Sequence, residues 1–530
     1  MTVRAALAAT ITLAALSLAP TRARANPVSG RPATPASGAT SRGSEAEDTR
    51  PSLLVGEGLV TDRASTLLPE QQPLPVPFPV PDPIVAGWRD DAFFISDRGR
   101  DWFISPGARL QVDFHMFNPH TLSDERSAAG VTTPSTLRTG VQIRRARLEL
   151  AGGVFSFLTW RLGAELTDNG PQTAADMHVN LRVHPVVNVQ LGQFDAPFTM
   201  ENRTSDRYLD FIERSLTVRA LGVPTGKEIG LMLWGEDRLH LAYWSVGVFN
   251  GGGPGRFTPS NQVEAAARFF FHPFMMSHRR GIGRQFQVGF SGRLAHRSLS
   301  GHSAHPVMDT PAGYTLFSPA LAPDLTLVQS GRQWAVAAEF DLPLDRFDLR
   351  GEFVYVRNHT GEVAAPLDGA LSPDPVRLGA LEGFGFYVQA AYWLVGLPPS
   401  AVRPEHDDTM ARPGYQDPPT VRVERAQPLR APLGLQAVAR FDTVQMAYRG
   451  ASRDARGGGD SAASGRYKVL AAEVGLNLWA TRHMRVLLNY RHYWFPEQPW
   501  EVAADANLMR GPTGHPNSYG EFSVRAAINL

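Results

Sequence analysis

The last nine residues alternate without a break. Phe522, Val524, Ala526, Ile528 and Leu530 share one face, and Ser523, Arg525, Ala527 and Asn529 share the other. Side chains in a strand point to opposite faces in turn, so this is a β-strand with one greasy and one wet side. The pattern recurs along most of the chain. Leu110, Val112 and Phe114 alternate with Arg109, Gln111 and Asp113. Met177, Val179, Leu181 and Val183 alternate with Asp176, His178, Asn180 and Arg182, and Met484, Val486, Leu488 and Tyr490 with Arg485, Leu487, Asn489 and Arg491. The polar faces carry too many charges to pack inside a protein core. Two architectures put them in water: a soluble sandwich or propeller with polar faces outside, or a transmembrane barrel with polar faces lining a lumen.

Three features favour the barrel. About sixteen such segments fit between residue 101 and the end. Connections alternate short (His184–Val187, Ala480–His483) and long (117–138, 195–226, 298–331, 496–517), the turn-and-loop asymmetry of an outer-membrane barrel. One long connection, 397–431, falls on the short-turn side and breaks the rule. Aromatic pairs such as Tyr243-Trp244, Tyr392-Trp393 and Tyr493-Trp494 sit near strand ends, where interfacial girdles belong. No repeat of 40–50 residues marks propeller blades. The fold expected is all-β: a transmembrane antiparallel β-barrel of about sixteen strands over residues 96–530.

The rest of the chain fits that setting. Residues 1–25 read as a signal peptide, with Arg4, an apolar run from Ala5 to Ala19, and a small-x-small site at Ala23-Arg24-Ala25. No later run is long and apolar enough for a membrane helix. Residues 26–95 contain QQPLPVPFPVPDP at 71–83; proline at every second position fixes φ and removes amide donors, so a disordered periplasmic segment is expected. The chain has 0 cysteines, which excludes disulfide scaffolds, thiolate metal sites and thiol nucleophiles together. A net charge of +1 gives no support for a nucleic-acid partner.

The stretches IRRARLELAG (143–152), VNVQLGQFDAPFTMENRTSDRYLDFIERSL (187–216), GVFNGGG (247–253), GFYVQAAYWLVG (385–396) and the closing FSVRAAINL (522–530) resemble the phosphate-selective porin O and P family. The resemblance implies a sixteen-stranded barrel, a homotrimer in outer-membrane lipid, barrel-assembly machinery as a partner in biogenesis, and a third external loop folded into the pore. Residues 195–226 form the third long connection. Barrel assembly commonly reads a terminal aromatic, and this chain ends in Leu530.

Within 195–226, Tyr208, Phe211 and Ile212 recur at helical spacing and are expected to anchor the loop to the wall. That puts Arg203, Arg207, Arg214 and Arg219 near the pore centre. The strand at 139–151 changes phase. Val141 and Ile143 share a face, yet Leu148 and Leu150 require Arg145, Arg147 and Glu149 on the polar side. A β-bulge between Arg144 and Arg145 reconciles them and turns both arginines inward, because arginine facing lipid costs about 2–4 kcal/mol at mid-membrane. The alternative is an arginine snorkelling to the interface.

Carried over from the resemblance, the pore and anion-binding residues are Arg109, Arg144, Arg145, Asp176, Ser205 and Arg214; Arg207 joins them as a loop arginine standing, like Asn202, where the family has other residues. Asp206 departs from the family pattern by placing a negative charge where an anion would sit. Anion preference is expected without strong phosphate selectivity. The competing view is that these charges pair with one another as ordinary lumenal residues.

No GxSxG, HExxH or Walker-type spacing appears, and His296, His302 and His305 lack a metal-ligand pattern. The expectation is therefore a passive outer-membrane porin for small anions, not an enzyme, with no cofactor and no metal. The alternatives are a barrel hydrolase and a non-selective diffusion channel of the same fold.

Overall fold

The computed structural model describes residues 84–529 except 90–91, 98–100, 119–138, 156, 168–173, 185, 224–225, 238–240, 256–262, 275–285, 298–302, 305–307, 311–314, 318–319, 323–324, 345, 365–374, 397–433, 453–463, 481–482 and 498–517. The expected signal peptide, the proline run, the connection 397–431, His302, His305 and Leu530 lie outside the described residues. The chain divides into units Met1–Phe78 and Pro79–Leu530, and every described residue belongs to the second.

Sixteen strands form the wall. They are β1 (Trp102–Asn118), β2 (Gly140–Val154), β3 (Leu158–Glu165), β4 (Ala174–His184), β5 (Val187–Asp195), β6 (Lys227–Glu236), β7 (Ala242–Phe249) and β8 (Glu264–Phe271). They continue with β9 (Gln287–Arg297), β10 (Leu325–Leu344), β11 (Phe347–Ala364), β12 (Pro375–Val395), β13 (Gly434–Ser452), β14 (Ser464–Trp479), β15 (Met484–Glu497) and β16 (Ser518–Asn529). Each pairs antiparallel with the next, and β16 returns to β1, setting Arg525 opposite Asp113 and Ile528 opposite Leu110. Closure leaves no strand edge and satisfies the backbone without water, which is the condition for crossing a bilayer with strands.

The alternation in the sequence becomes inside and outside. On β2, Val141, Ile143, Leu148 and Leu150 are exposed on the outer surface, while Glu149 is buried toward the lumen. On β16 the alternate residues Ser523 and Arg525 are buried inward, and Arg525 is 0% exposed. The register of β1 with β2 slips at the expected place: Gln111 pairs with Arg145 and Val112 with Ile143, so Arg144 is the extra residue. This bulge is how Arg144 and Arg145, adjacent in sequence, both face the lumen.

Two features differ from the sequence expectation. Strands Ile84–Arg89 and Ala92–Asp97 form a hairpin whose second strand continues onto β1 through Ile95–Ile104 and Ser96–Phe103. The first strand and the start of the second fall within 26–95, expected to be disordered; proline alternation ends at Pro83, and the residues after it again carry amide donors. The aromatic pairs do not all face outward either. Trp494 and Tyr392 are exposed, but Tyr243, Trp393 and Tyr493 point inward and are buried. Adjacent residues on a strand cannot share a face, so each pair gives one ring to the girdle and one to the interior. Tyr493 stacks on Tyr519 at 4.7 Å, and Tyr243 on Phe270 at 4.7 Å.

The wall is uneven. β3, β7 and β8 have 8 residues each, whereas β10, β12 and β13 have 20, 21 and 19. The long strands extend past their neighbours on the long-loop side, since β9 pairs only with Gly331–Asp341 of β10.

Candidate functional site

The connection between β5 and β6 folds inward, and its backbone geometry begins in the wall. Gly192 on β5 has φ +128, and a Cβ there would meet the Met177 carbonyl at 2.2 Å and His178 Cα at 2.7 Å. Only glycine fits so close to β4 in that conformation. Gly192→Ala is expected to destabilise the barrel by about 1–3 kcal/mol or more, read as a lower temperature for loss of the folded-barrel band on semi-native electrophoresis.

Two short helices follow: α1 (Met200–Arg203) and α2 (Leu216–Leu221). Thr199 and Ser215 cap them with their side-chain oxygens. Carboxylates from the far wall then take the first amides of each. Glu352 on β11 accepts from the Met200 and Glu201 amides at 2.6 and 2.8 Å. Asp442 on β13 accepts from the Leu216 amide, from the Thr217 amide at 3.1 Å and from Thr217 Oγ1 at 2.6 Å. Between the helices, Asn477 donates to the Asp210 carbonyl at 2.7 Å, Arg485 to the Leu209 carbonyl at 2.8 Å, and Gln389 and Gln436 to the Asp210 carboxylate. Phe211 is buried with Ala391 and Val438, under the Arg440 guanidinium at 4.3 Å.

The loop is thus anchored inside, but not as a helix over 208–212. Phe211 and Ile212 are buried in an irregular turn, and the helices lie on either side of it. The polar side chains of β11–β16 supply the partners that a helix would have found within itself.

Opposite these anchors lies a network of arginines from β1, β2, β3 and β16. Two glutamates are its hubs. Glu149 is within 4.0 Å of four guanidiniums: Arg109 at 3.0 Å, Arg147 at 3.9 Å, Arg161 at 2.6 Å and Arg207 at 2.6 Å. Glu213 from the loop is within 4.0 Å of another four: Arg144 at 2.9 Å, Arg145 at 3.2 Å, Arg525 at 3.0 Å and Arg219 at 3.9 Å. Burial works against the charge of Glu213, yet these neighbours hold its carboxyl well below the usual range. Asp206 joins the two groups by touching both Arg109 and Arg145. The eight linked guanidiniums touch five carboxylates, the others being Glu165 and Asp113. Among the described residues of this network, guanidiniums outnumber carboxylates.

The expected site residues divide accordingly. Arg109, Arg144, Arg145 and Arg207 meet in this network. Asp176 instead pairs with Lys227 at 2.7 Å. Ser205 accepts from the Arg207 amide at 3.4 Å and sits beside Asp206. Arg214 donates to the Glu201 and Thr204 carbonyls, and Arg203 to the Asp195 carbonyl, so both brace the loop. The sequence reading missed Arg161 and Arg525 and the hub role of Glu149. Each occupies the wet face of an alternating strand, so their facing was legible although their meeting across strands was not.

His115 lies at this wall as well, with Nδ1 2.8 Å from Ser523 Oγ and 3.2 Å from Glu521. Asp113 is 3.6 Å from His115 Nε2 and gives both oxygens to Arg525.

A closed sixteen-stranded barrel, apolar outside and charged within, with a loop folded into its lumen, is an outer-membrane channel of the porin class. The sequence matches the family model for phosphate-selective porin O and P over residues 118–398, and the chain belongs to that family. It resides in the bacterial outer membrane. Among solved structures it is similar to a loop-L8 deletion mutant of OmpT, an outer membrane protein of Vibrio cholerae (TM-score 0.45, 9% identity, covering 81% of this chain and 100% of that one). An anion-selective porin from Comamonas acidovorans is also similar (TM-score 0.41, 11% identity, 81% and 100%). So is the outer membrane channel DcaP of Acinetobacter baumannii (TM-score 0.39, 10% identity, 82% and 99%). No curated protein sequence matches.

Proposed function

We propose that this channel passes small anions by passive diffusion, and that Arg109, Arg144, Arg145 and Arg207 with their neighbours select for them. The observation that carries this is the guanidinium excess around Glu149 and Glu213. Confined between a low-dielectric wall and an ordered loop, such an excess raises the local concentration of anions. Guanidinium forks also match carboxylate and phosphate oxygens in geometry. The hub glutamates temper the field, so the selectivity is for charge sign and small size more than for phosphate. In planar bilayers under a potassium chloride gradient, the reversal potential should show chloride favoured. Potassium preference would sink this assignment while leaving the barrel intact.

We also infer a homotrimer, as the family resemblance implies, and the short strands suggest where its subunits meet. Eight residues at about 3.3 Å each, tilted as barrel strands are, rise only about 20 Å, short of the ~25 Å apolar band. The low wall of β3–β8 is the one that neighbouring subunits would cover.

A further inference from the structure

Asp206 stands on the loop with its carboxylate wedged between two guanidiniums of the wall. One oxygen touches Arg109 on β1, and the other lies 2.6 Å from Arg145 Nε on β2. All three side chains are largely withdrawn from solvent; Asp206 is 6% exposed. The Arg144 bulge sets the second guanidinium in place, and Arg109 is held from behind by Glu149 at 3.0 Å. Two guanidiniums aimed from separate strands at one point make an oxyanion cradle. Here the oxyanion is the protein's own.

The network behind the cradle has donors to spare. Arg109 Nε is buried without a hydrogen-bond partner, and so is Arg161 Nε on the adjoining side of Glu149. Glu149, Asp206 and Glu213 therefore do not exhaust the hydrogen-bonding capacity of the network. A free oxyanion in place of the Asp206 carboxylate would meet the same two guanidiniums.

We propose that Asp206 is the built-in occupant of an oxyanion-binding site, and that its presence keeps the lumen a conduit for anions instead of a trap for inorganic phosphate. Conduction needs binding strong enough to attract and weak enough to release. A fixed carboxylate in the strongest cradle leaves passing anions only the outer edges of the guanidiniums, where they do not dwell. This rests on the anion-passing function above and adds what limits its affinity.

The test is phosphate block of chloride current through single channels of the full-length protein. Asp206→Ser removes both charge and bulk, and Asp206→Asn keeps the shape and removes the charge. Both should be half-blocked at phosphate concentrations lower than wild type by about tenfold or more, the smallest effect expected of one unit charge at contact distance in a partly screened site. The serine variant, with room for the ligand, should show the larger shift. Chloride-preferring variants no more sensitive to phosphate than wild type would overturn the proposal and leave the anion function standing. Wild type serves as a second measurement that needs no variant to fold: half-block of the unmodified channel by micromolar phosphate would mean that Asp206 excludes nothing. Potassium preference in wild type would overturn the anion function and this inference with it.

Discussion

Replacing Arg144 and Arg145 together by glutamine should reduce the chloride-to-potassium permeability ratio by about tenfold or more, because two unit charges a few ångströms from a permeating ion contribute roughly 1 kcal/mol each even in water-like screening. The barrel should survive. Glu213 loses two of its partners but keeps Arg525 at 3.0 Å and Arg219 at 3.9 Å, so no buried carboxylate is orphaned. Asp206 likewise keeps Arg109. The control is Arg357→Gln, which removes one charge of the same kind from the outward face of β11, where its side chain is 45% exposed and paired with Glu382. That variant should conduct with the wild-type ratio. The measurement is the reversal potential in a salt gradient. An unchanged ratio in the double variant would show that the selective field arises elsewhere in the lumen, and the assignment of these two arginines would fail.

The same two residues show how far the sequence could be read. The phase conflict between Ile143 and Leu148 is a local property of one strand, and a lipid-facing arginine is costly. The bulge therefore followed from those two facts, and the register of β1 with β2 contains it. Strand number and closure were legible for a similar reason: period-two alternation and connection length are written locally, whereas the inward course of the third loop was implied by the family resemblance. What was not legible is pairwise. Nothing in the sequence joins Asp442 to the Leu216 amide, 226 residues away, or Arg525 to Glu213, 312 residues away. Arg214 shows the error this causes. It was carried over from the resemblance as an anion-site residue, and its neighbours on the irregular turn offer carbonyls to which it donates. A loop stabilised by the far wall takes its side-chain directions from that wall, so helical spacing over Tyr208 to Ile212 carried no information about its backbone.

That dependence makes the loop separable from the barrel, and the separation is measurable. Glu352→Ala with Asp442→Ala should loosen residues 196–226 within the lumen while the sixteen strands remain closed. The wild-type carboxylates satisfy the amides of Met200, Glu201, Leu216 and Thr217, which begin helices too short to be stable alone. Each such hydrogen bond contributes about 0.5–1.5 kcal/mol net. Losing both acceptors therefore weakens the loop's attachment by several kcal/mol, even after water replaces part of the loss. The strands themselves hold their ladders without these side chains, and Tyr387, which donates to Glu352 at 2.7 Å, loses only that partner. The double variant should show higher and noisier single-channel conductance, and protease should cut within 196–226 in folded protein that resists it in wild type. Each single variant should fall between, because the other end and the Phe211 anchor still hold. Should the double variant conduct and resist cleavage like wild type, the grip must lie in the middle of the loop. Asn477, Arg485 and the pocket of Ala391 and Val438 would then be the restraint, and the two carboxylates merely caps.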